Sequence, residues 1–131
     1  MTKIHLSLLA GLLLSSGCGG KHTMYPVEGQ VTLPDGTPVD HVLLTLERRQ
    51  PPLSAQATTD EDGMFYVGTQ GASDGAPAGV YQVTVVETAG LNHPDQPSPR
   101  RIHPKYADPS TSGLQITVTA DSRYDLILDP P

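Results

Sequence analysis

Three groups of side chains in this sequence are of types that could do chemistry. Cys18 is the single cysteine among 131 residues and directly follows Ser15-Ser16-Gly17. One thiol cannot close an internal disulfide, so it is a modification site, a nucleophile or a bystander. Asp60, Asp62 and Gly63 set two carboxylates around a glycine, which is how a calcium-binding loop of hard oxygen ligands begins. His93, His103 and Tyr106 bring imidazoles and a phenol into one proline-rich stretch, the donor types of an iron centre or of acid–base chemistry.

Spacing removes two of the three. A calcium loop needs a bidentate Glu at its twelfth position, but that position counted from Asp60 is Gly71, and no acid stands between Asp62 and Asp74. Asp62-Gly63 is also the dipeptide a tight hairpin turn uses. An iron site of the Tyr/His kind needs two of each converging, whereas His22, His41, His93 and His103 are scattered with no His-x-His pair. The expectation is therefore a protein without catalytic residues, metal or cofactor.

Cys18 has a context that explains it. Lys3 supplies positive charge, Ile4 to Leu14 supplies an apolar run, and Ser15-Ser16-Gly17 supplies small residues before the cysteine, the three parts of an export signal. The apolar run is shorter than the ~20 residues needed to span a bilayer core. The junction resembles the lipobox of bacterial lipoproteins, with Ser15 where that pattern prefers an aliphatic residue. The resemblance implies a signal peptide at 1–17, diacylation of Cys18, cleavage before it and acylation of the new amino terminus. Several acyl chains on one residue suffice for stable anchoring, so membrane lipid held through acylated Cys18 is the first expected partner. Residues 18–24, beginning Cys18-Gly19-Gly20, form a lipidated cysteine and flexible tether. The expected location is the bacterial cell envelope, periplasmic or at the outer surface.

Charge excludes another class of partner. Eight Lys and Arg against fourteen Asp and Glu give a net charge of −6, and loss of Lys3 with the signal makes the exported chain more negative still. The adjacent cations Arg48-Arg49 and Arg100-Arg101 are expected on solvated surface, too sparse for the basic stripe that tracks a phosphate backbone; nucleic acid is not a partner. Hydrophobic residues at 37% and charged residues at 17% place the chain among folded domains, and its length allows one.

The elements that must carry these residues read as strands. Alternation at period two recurs from Tyr25 onward, and no stretch repeats at helical period. Val27-Leu33, Val42-Leu46, a weaker Ser54-Thr59, Met64-Val67, Tyr81-Val85, Leu114-Thr119 and Tyr124-Leu128 make seven short strands. Turn signals such as Pro34-Asp35-Gly36-Thr37-Pro38 separate them. Tyr81-Val85 is expected at the centre of a sheet. Without helices to make parallel crossovers, two antiparallel sheets packed face to face are expected, an all-β sandwich over 25–131. The exception is the long loop 88–113, with five prolines. Ile102 and Tyr106 are its apolar anchors, so its base is expected to be pinned.

The segments Val27-Glu28-Gly29-Gln30-Val31-Thr32, Pro34-Asp35-Gly36-Thr37-Pro38-Val39, Thr59-Asp60-Glu61-Asp62-Gly63-Met64-Phe65 and Gly79-Val80-Tyr81-Gln82-Val83-Thr84-Val85 resemble carboxypeptidase regulatory-like domains, relatives of the transthyretin sandwich. The run Ile102 to Leu114 looks like a signature of small bacterial lipoproteins built on that domain. The resemblance covers most of the exported chain and implies a seven-stranded, prealbumin-like Greek-key sandwich with no activity of its own. Hydroxyisourate hydrolases share the fold, but their terminal Tyr-Arg-Gly-Ser is absent where this chain ends Leu128-Asp129-Pro130-Pro131. The Lys-to-Asn crosslink of some surface domains has no partners on the expected core strands, since Lys21, Lys105 and Asn92 lie elsewhere. The function that follows is a noncatalytic, lipid-anchored module that binds or spaces another envelope component. The alternative is a small-ligand or carbohydrate binder, or an unrecognised hydrolase, using loop 88–113. With no Trp, one Phe and five Tyr, aromatic platforms for sugars are few.

Overall fold

The computed structural model describes residues 23–88, 95, 99–120 and 122–131. The expected signal peptide, Cys18, most of the tether, His22, Asn92 and His93 lie outside the described residues. Among those described, the chain is all-β: β1 (Met24–Tyr25), β2 (Val27–Thr32), β3 (Val42–Arg49), β4 (Pro52–Thr58), β5 (Met64–Tyr66), β6 (Ala76–Pro77), β7 (Gly79–Glu87), β8 (Leu114–Val118), β9 (Ser122–Arg123) and β10 (Leu126–Ile127), with a single 3-10 turn at Pro104–Ala107. The seven expected strands are all represented. The two-residue pair β1 and β6 is additional, as is β9, and the last expected strand, Tyr124-Leu128, is shortened to β10.

Strands β4, β3, β7 and β8 form one sheet in that order, every pair antiparallel. In it β7 is central, flanked by β3 with Leu44 opposite Val85 and by β8 with Tyr81 opposite Ile116. The second sheet is built on β2, with β5 on one side and β9 and β10 on the other. Here the expectation of purely antiparallel pairing is corrected, because β9 and β10 both run parallel to β2. The reason is directional. Strand β8 delivers the chain, opposite Gly79, to the end of the molecule where β2 begins, so the returning segment must climb beside β2 in the same sense.

Period-two alternation puts one face of each sheet into a common core. Val42, Leu44 and Leu46 of β3, Tyr81, Val83 and Val85 of β7 and Ile116 and Val118 of β8 meet Val27, Val31, Phe65 and Leu128 from the other side, all buried. Gly29 occupies the remaining inward position of β2. A Cβ there would overlap the Tyr124 carbonyl oxygen and stand 2.7 Å from the Phe65 ring, so the absent side chain is what lets the parallel return pass so close.

The β7 strand, the longest of the chain's described strands at nine residues, also defines two ends. At its first residue the β1–β6 ribbon closes, with Tyr25 opposite Ala76, and the Tyr81 hydroxyl donates to the Pro77 carbonyl at 2.7 Å. At its last residue, Glu87, the long loop departs.

Candidate functional site

The base of loop 88–113 is held by one guanidinium. Arg101 donates its backbone N–H to both carboxylate oxygens of Glu87 at 3.1 Å and its Nε to Glu87 Oε1 at 3.1 Å. Its other nitrogens reach the Asp40 carboxylate and, at 2.7 Å, the Asp40 carbonyl. His41 Nδ1 contacts the same carboxylate at 2.9 Å, and the Thr88 hydroxyl donates to the His41 carbonyl at 2.7 Å. The hydrogen bond from Arg101 holds the Asp40 carboxyl below its ordinary range, helped by His41.

Beyond Arg101 the loop is docked as its apolar residues require. Ile102 and Tyr106 are buried. The Tyr106 hydroxyl accepts the Asp129 N–H at 2.8 Å, the His103 N–H donates to the Asp129 carbonyl at 2.8 Å, and Lys105 Nζ lies 3.0 Å from the Asp129 carboxylate. That last bond lowers the Asp129 carboxyl and raises the Lys105 ammonium from their ordinary values. His103 Nδ1 accepts the Lys105 N–H at 3.0 Å and so caps the Pro104–Ala107 turn. His103 and Tyr106 are thus engaged in holding the C-terminal segment against the loop, and His93 lies outside the described residues.

The Asp60 group closes a turn. Asp60 Oδ1 accepts the N–H groups of Asp62 and Met64, both at 2.9 Å, and the Gly63 N–H donates to the Asp60 carbonyl. Gly63 has a positive φ, and a Cβ on it would meet the Val31 carbonyl oxygen at 2.6 Å. Glycine is therefore demanded both by conformation and by space. Among the described residues no three His, Cys, Asp or Glu side chains gather as a metal site.

One arginine departs from its sequence expectation. Adjacency to Arg49 places Arg48 on solvated surface, but it is only 8% exposed. Neighbours in a half-buried strand point to opposite faces, so β3 sends Arg49 outward and Arg48 inward after Val42, Leu44 and Leu46. Its Nε donates to the Pro51 carbonyl at 2.9 Å, a terminal nitrogen donates to the Ala78 carbonyl at 2.8 Å, and the guanidinium lies 5.8 Å from the centre of the Tyr81 ring. Gly79 leaves room for it, since a Cβ there would stand 2.6 Å from Arg48 Cδ. The Arg48 stem and head close the β1 end of the core.

Two surface depressions add shape to this picture. One, of about 520 Å³, lies against the β4–β3–β7–β8 sheet, where Val80 and Leu114 are rimmed by Glu47, Arg49, Gln82 and Gln115. The other, of about 530 Å³, lies between Tyr66, the outer side of β4 and the turn after Val67. That turn is rigidly built. The Asp74 carboxylate accepts N–H bonds from Thr69 at 2.7 Å, Gln70 at 3.1 Å and Gly71 at 3.0 Å, the Thr69 bond leading the effects that hold it below its ordinary range. Gly68 and Gln56 exchange both backbone hydrogen bonds at 2.9 Å. In sequence this stretch reads only as a surface loop. The signal that points to it is Tyr66, placed opposite in phase to the inward Phe65 and Val67.

Compared with family models, with curated proteins and with solved structures, the chain finds no match.

Proposed function

We propose that this chain is a noncatalytic lipoprotein of the bacterial cell envelope, in which residues 1–17 are removed, Cys18 is acylated, and the domain binds or spaces another envelope component. In this reading the two sheets are a version of the seven-stranded, prealbumin-like Greek-key sandwich of carboxypeptidase regulatory-like domains, with the short β1–β6 ribbon added.

The observation that carries the reading is the separation of the two ends. Cys18 is six residues before Met24, a reach of at most ~20 Å. Met24 enters beside β6, at the start of β7, whereas the base of loop 88–113 is clamped at the other end of that strand. A lipid on Cys18 would therefore hold the β1 end toward the membrane and present the loop end away from it. The engagement of Arg101, Asp40, Glu87, Lys105 and Asp129 with one another supports a scaffold in preference to a catalyst.

The test is intact mass of the membrane-fraction protein, wild type beside Cys18→Ala. A chain beginning at Cys18 with added acyl mass, absent from the variant, is the expected result. An unmodified chain, or one released from membranes by carbonate without detergent, overturns the anchor.

A further inference from the structure

We infer that the depression beside Tyr66 is a binding site for a neutral saccharide. The first argument is charge. No acidic or basic side chain lines the depression, although the chain carries 14 Asp and Glu and 8 Lys and Arg. Asp74, the nearest carboxylate in the turn, is directed into its own loop by three N–H groups. Glu28, opposite Tyr66 in the β2–β5 pairing, stands outside the lining. An ionic ligand would find no counter-charge here, whereas an uncharged one would carry no desolvation cost for an unpaired ion.

The second argument is the match of groups to a sugar. Tyr66 is 49% exposed, the largest aromatic surface left open among the described residues. It offers a flat apolar face with a polar rim for the C–H face of a pyranose ring. Around it stand Gln56, Thr58, Thr69 and Gln70. A glutamine amide presents a donor and an acceptor side by side, the complement of vicinal hydroxyls that each do both. Neither the Gln56 nor the Gln70 side-chain amide is bonded to another described residue, so both are available. A wholly apolar ligand would leave these groups unpaired on burial, which disfavours it.

The third argument is preorganisation. Gly68 has no room for a side chain, since a Cβ would overlap the Gly71 carbonyl oxygen, and the Gly75 N–H ties the turn back to the Val67 carbonyl at 2.8 Å. The walls are therefore set before a ligand arrives, which lowers the ordering cost of binding. A volume of about 530 Å³ falls within the range of small-molecule sites and suits one or two sugar rings. The other depression differs in kind, with Glu47 and Arg49 on its rim. This inference stands apart from the lipid anchor and from loop 88–113.

The test is a titration of the purified full chain with maltose, cellobiose and diacetylchitobiose, beside cationic glucosamine and anionic galacturonate, read by amide chemical shifts. At least one neutral disaccharide is expected to bind in the millimolar range and to shift residues 66–73, with the charged sugars weaker. Tyr66→Ala should weaken that binding about tenfold and Tyr66→Phe should retain it, because the ring face and not the hydroxyl is the platform. Thermal melting checks that each variant is folded. Should Tyr66→Ala fail to fold, Gln70→Ala replaces it, since the exposed side chain is lost while the backbone bond to Asp74 stays. Absence of binding by all neutral sugars, binding indifferent to these substitutions, or equal binding of the charged sugars overturns the inference.

Discussion

The two ends of β7 are each held by an arginine, and the two arginines work differently. At the β1 end Arg48 is buried, bonded to two neutral carbonyls and set beside the Tyr81 ring, and no carboxylate among the described residues pairs with it. At the loop end Arg101 keeps a third of its side chain in solvent and meets two carboxylates. Arg48 closes a core, and its long stem is as much a packing element as its charge. Arg101 is an electrostatic latch on a loop, and its strength depends on the charge of its partners. One guanidinium is therefore insensitive to the solution and the other is tuned by it.

The largest expected effect is at the β1 end. Arg48→Ala removes buried stem and leaves the Pro51 and Ala78 carbonyls without their donor, so a loss of about 2–3 kcal/mol in unfolding free energy is expected by denaturant titration. Arg48→Lys should recover less than half of it, because a single ammonium does not reproduce the planar fork that spans both carbonyls. If Arg48→Ala costs no more than a surface substitution, the contrast between the ends disappears.

A smaller global effect with a sharper local one is expected at the loop end. Arg101→Ala should cost about 1 kcal/mol, reduced by the solvent exposure of the latch. Hydrogen exchange should accelerate over residues 101–107 while β3 and β7 stay protected. Equal acceleration in the core strands would show that the latch is part of the global fold.

The smallest effect is the one that separates the ends by pH. Asp40 has its folded pKa lowered below 3.8, chiefly by the Arg101 hydrogen bond. Its contribution is therefore complete above 3.8 and is lost as pH falls through the lowered value, because the unfolded chain takes up the proton first. Melting temperature against pH should show a steeper acid limb in wild type than in Asp40→Asn, and the Arg48 contribution should not change across the same window. An identical acid limb in the two proteins would remove Asp40 from the latch.

How far these ends are legible in the sequence follows from the range of each interaction. Ile102 and Tyr106 are readable as loop anchors because isolated apolar residues in a polar, proline-rich stretch have only the core to go to. Their partners are not, since Asp40 and Arg101 are 61 positions apart and nothing local links them. Arg48-Arg49 reads as a solvated pair only when charge is weighed above alternation. The continued inward phase of Val42, Leu44 and Leu46 already implies that one of the two must turn in. The Tyr66 depression needs β4, β5 and the turn around Asp74 together, so the outward phase of Tyr66 is its only trace in the sequence.

Local order in this protein follows from the residue string: period-two alternation makes the strands, and Asp-Gly and Pro-Asp-Gly-Thr-Pro make the turns. Those are short-range effects, settled within a few residues. Sheet membership, the parallel return of β9 and β10 beside β2, the burial of Arg48 and the two-carboxylate latch on Arg101 arise only when distant segments meet. An alternating strand carries no mark of which edge it will join, and a charged side chain carries no mark of its partner. Both are selected by packing and by the need to pair every buried polar group.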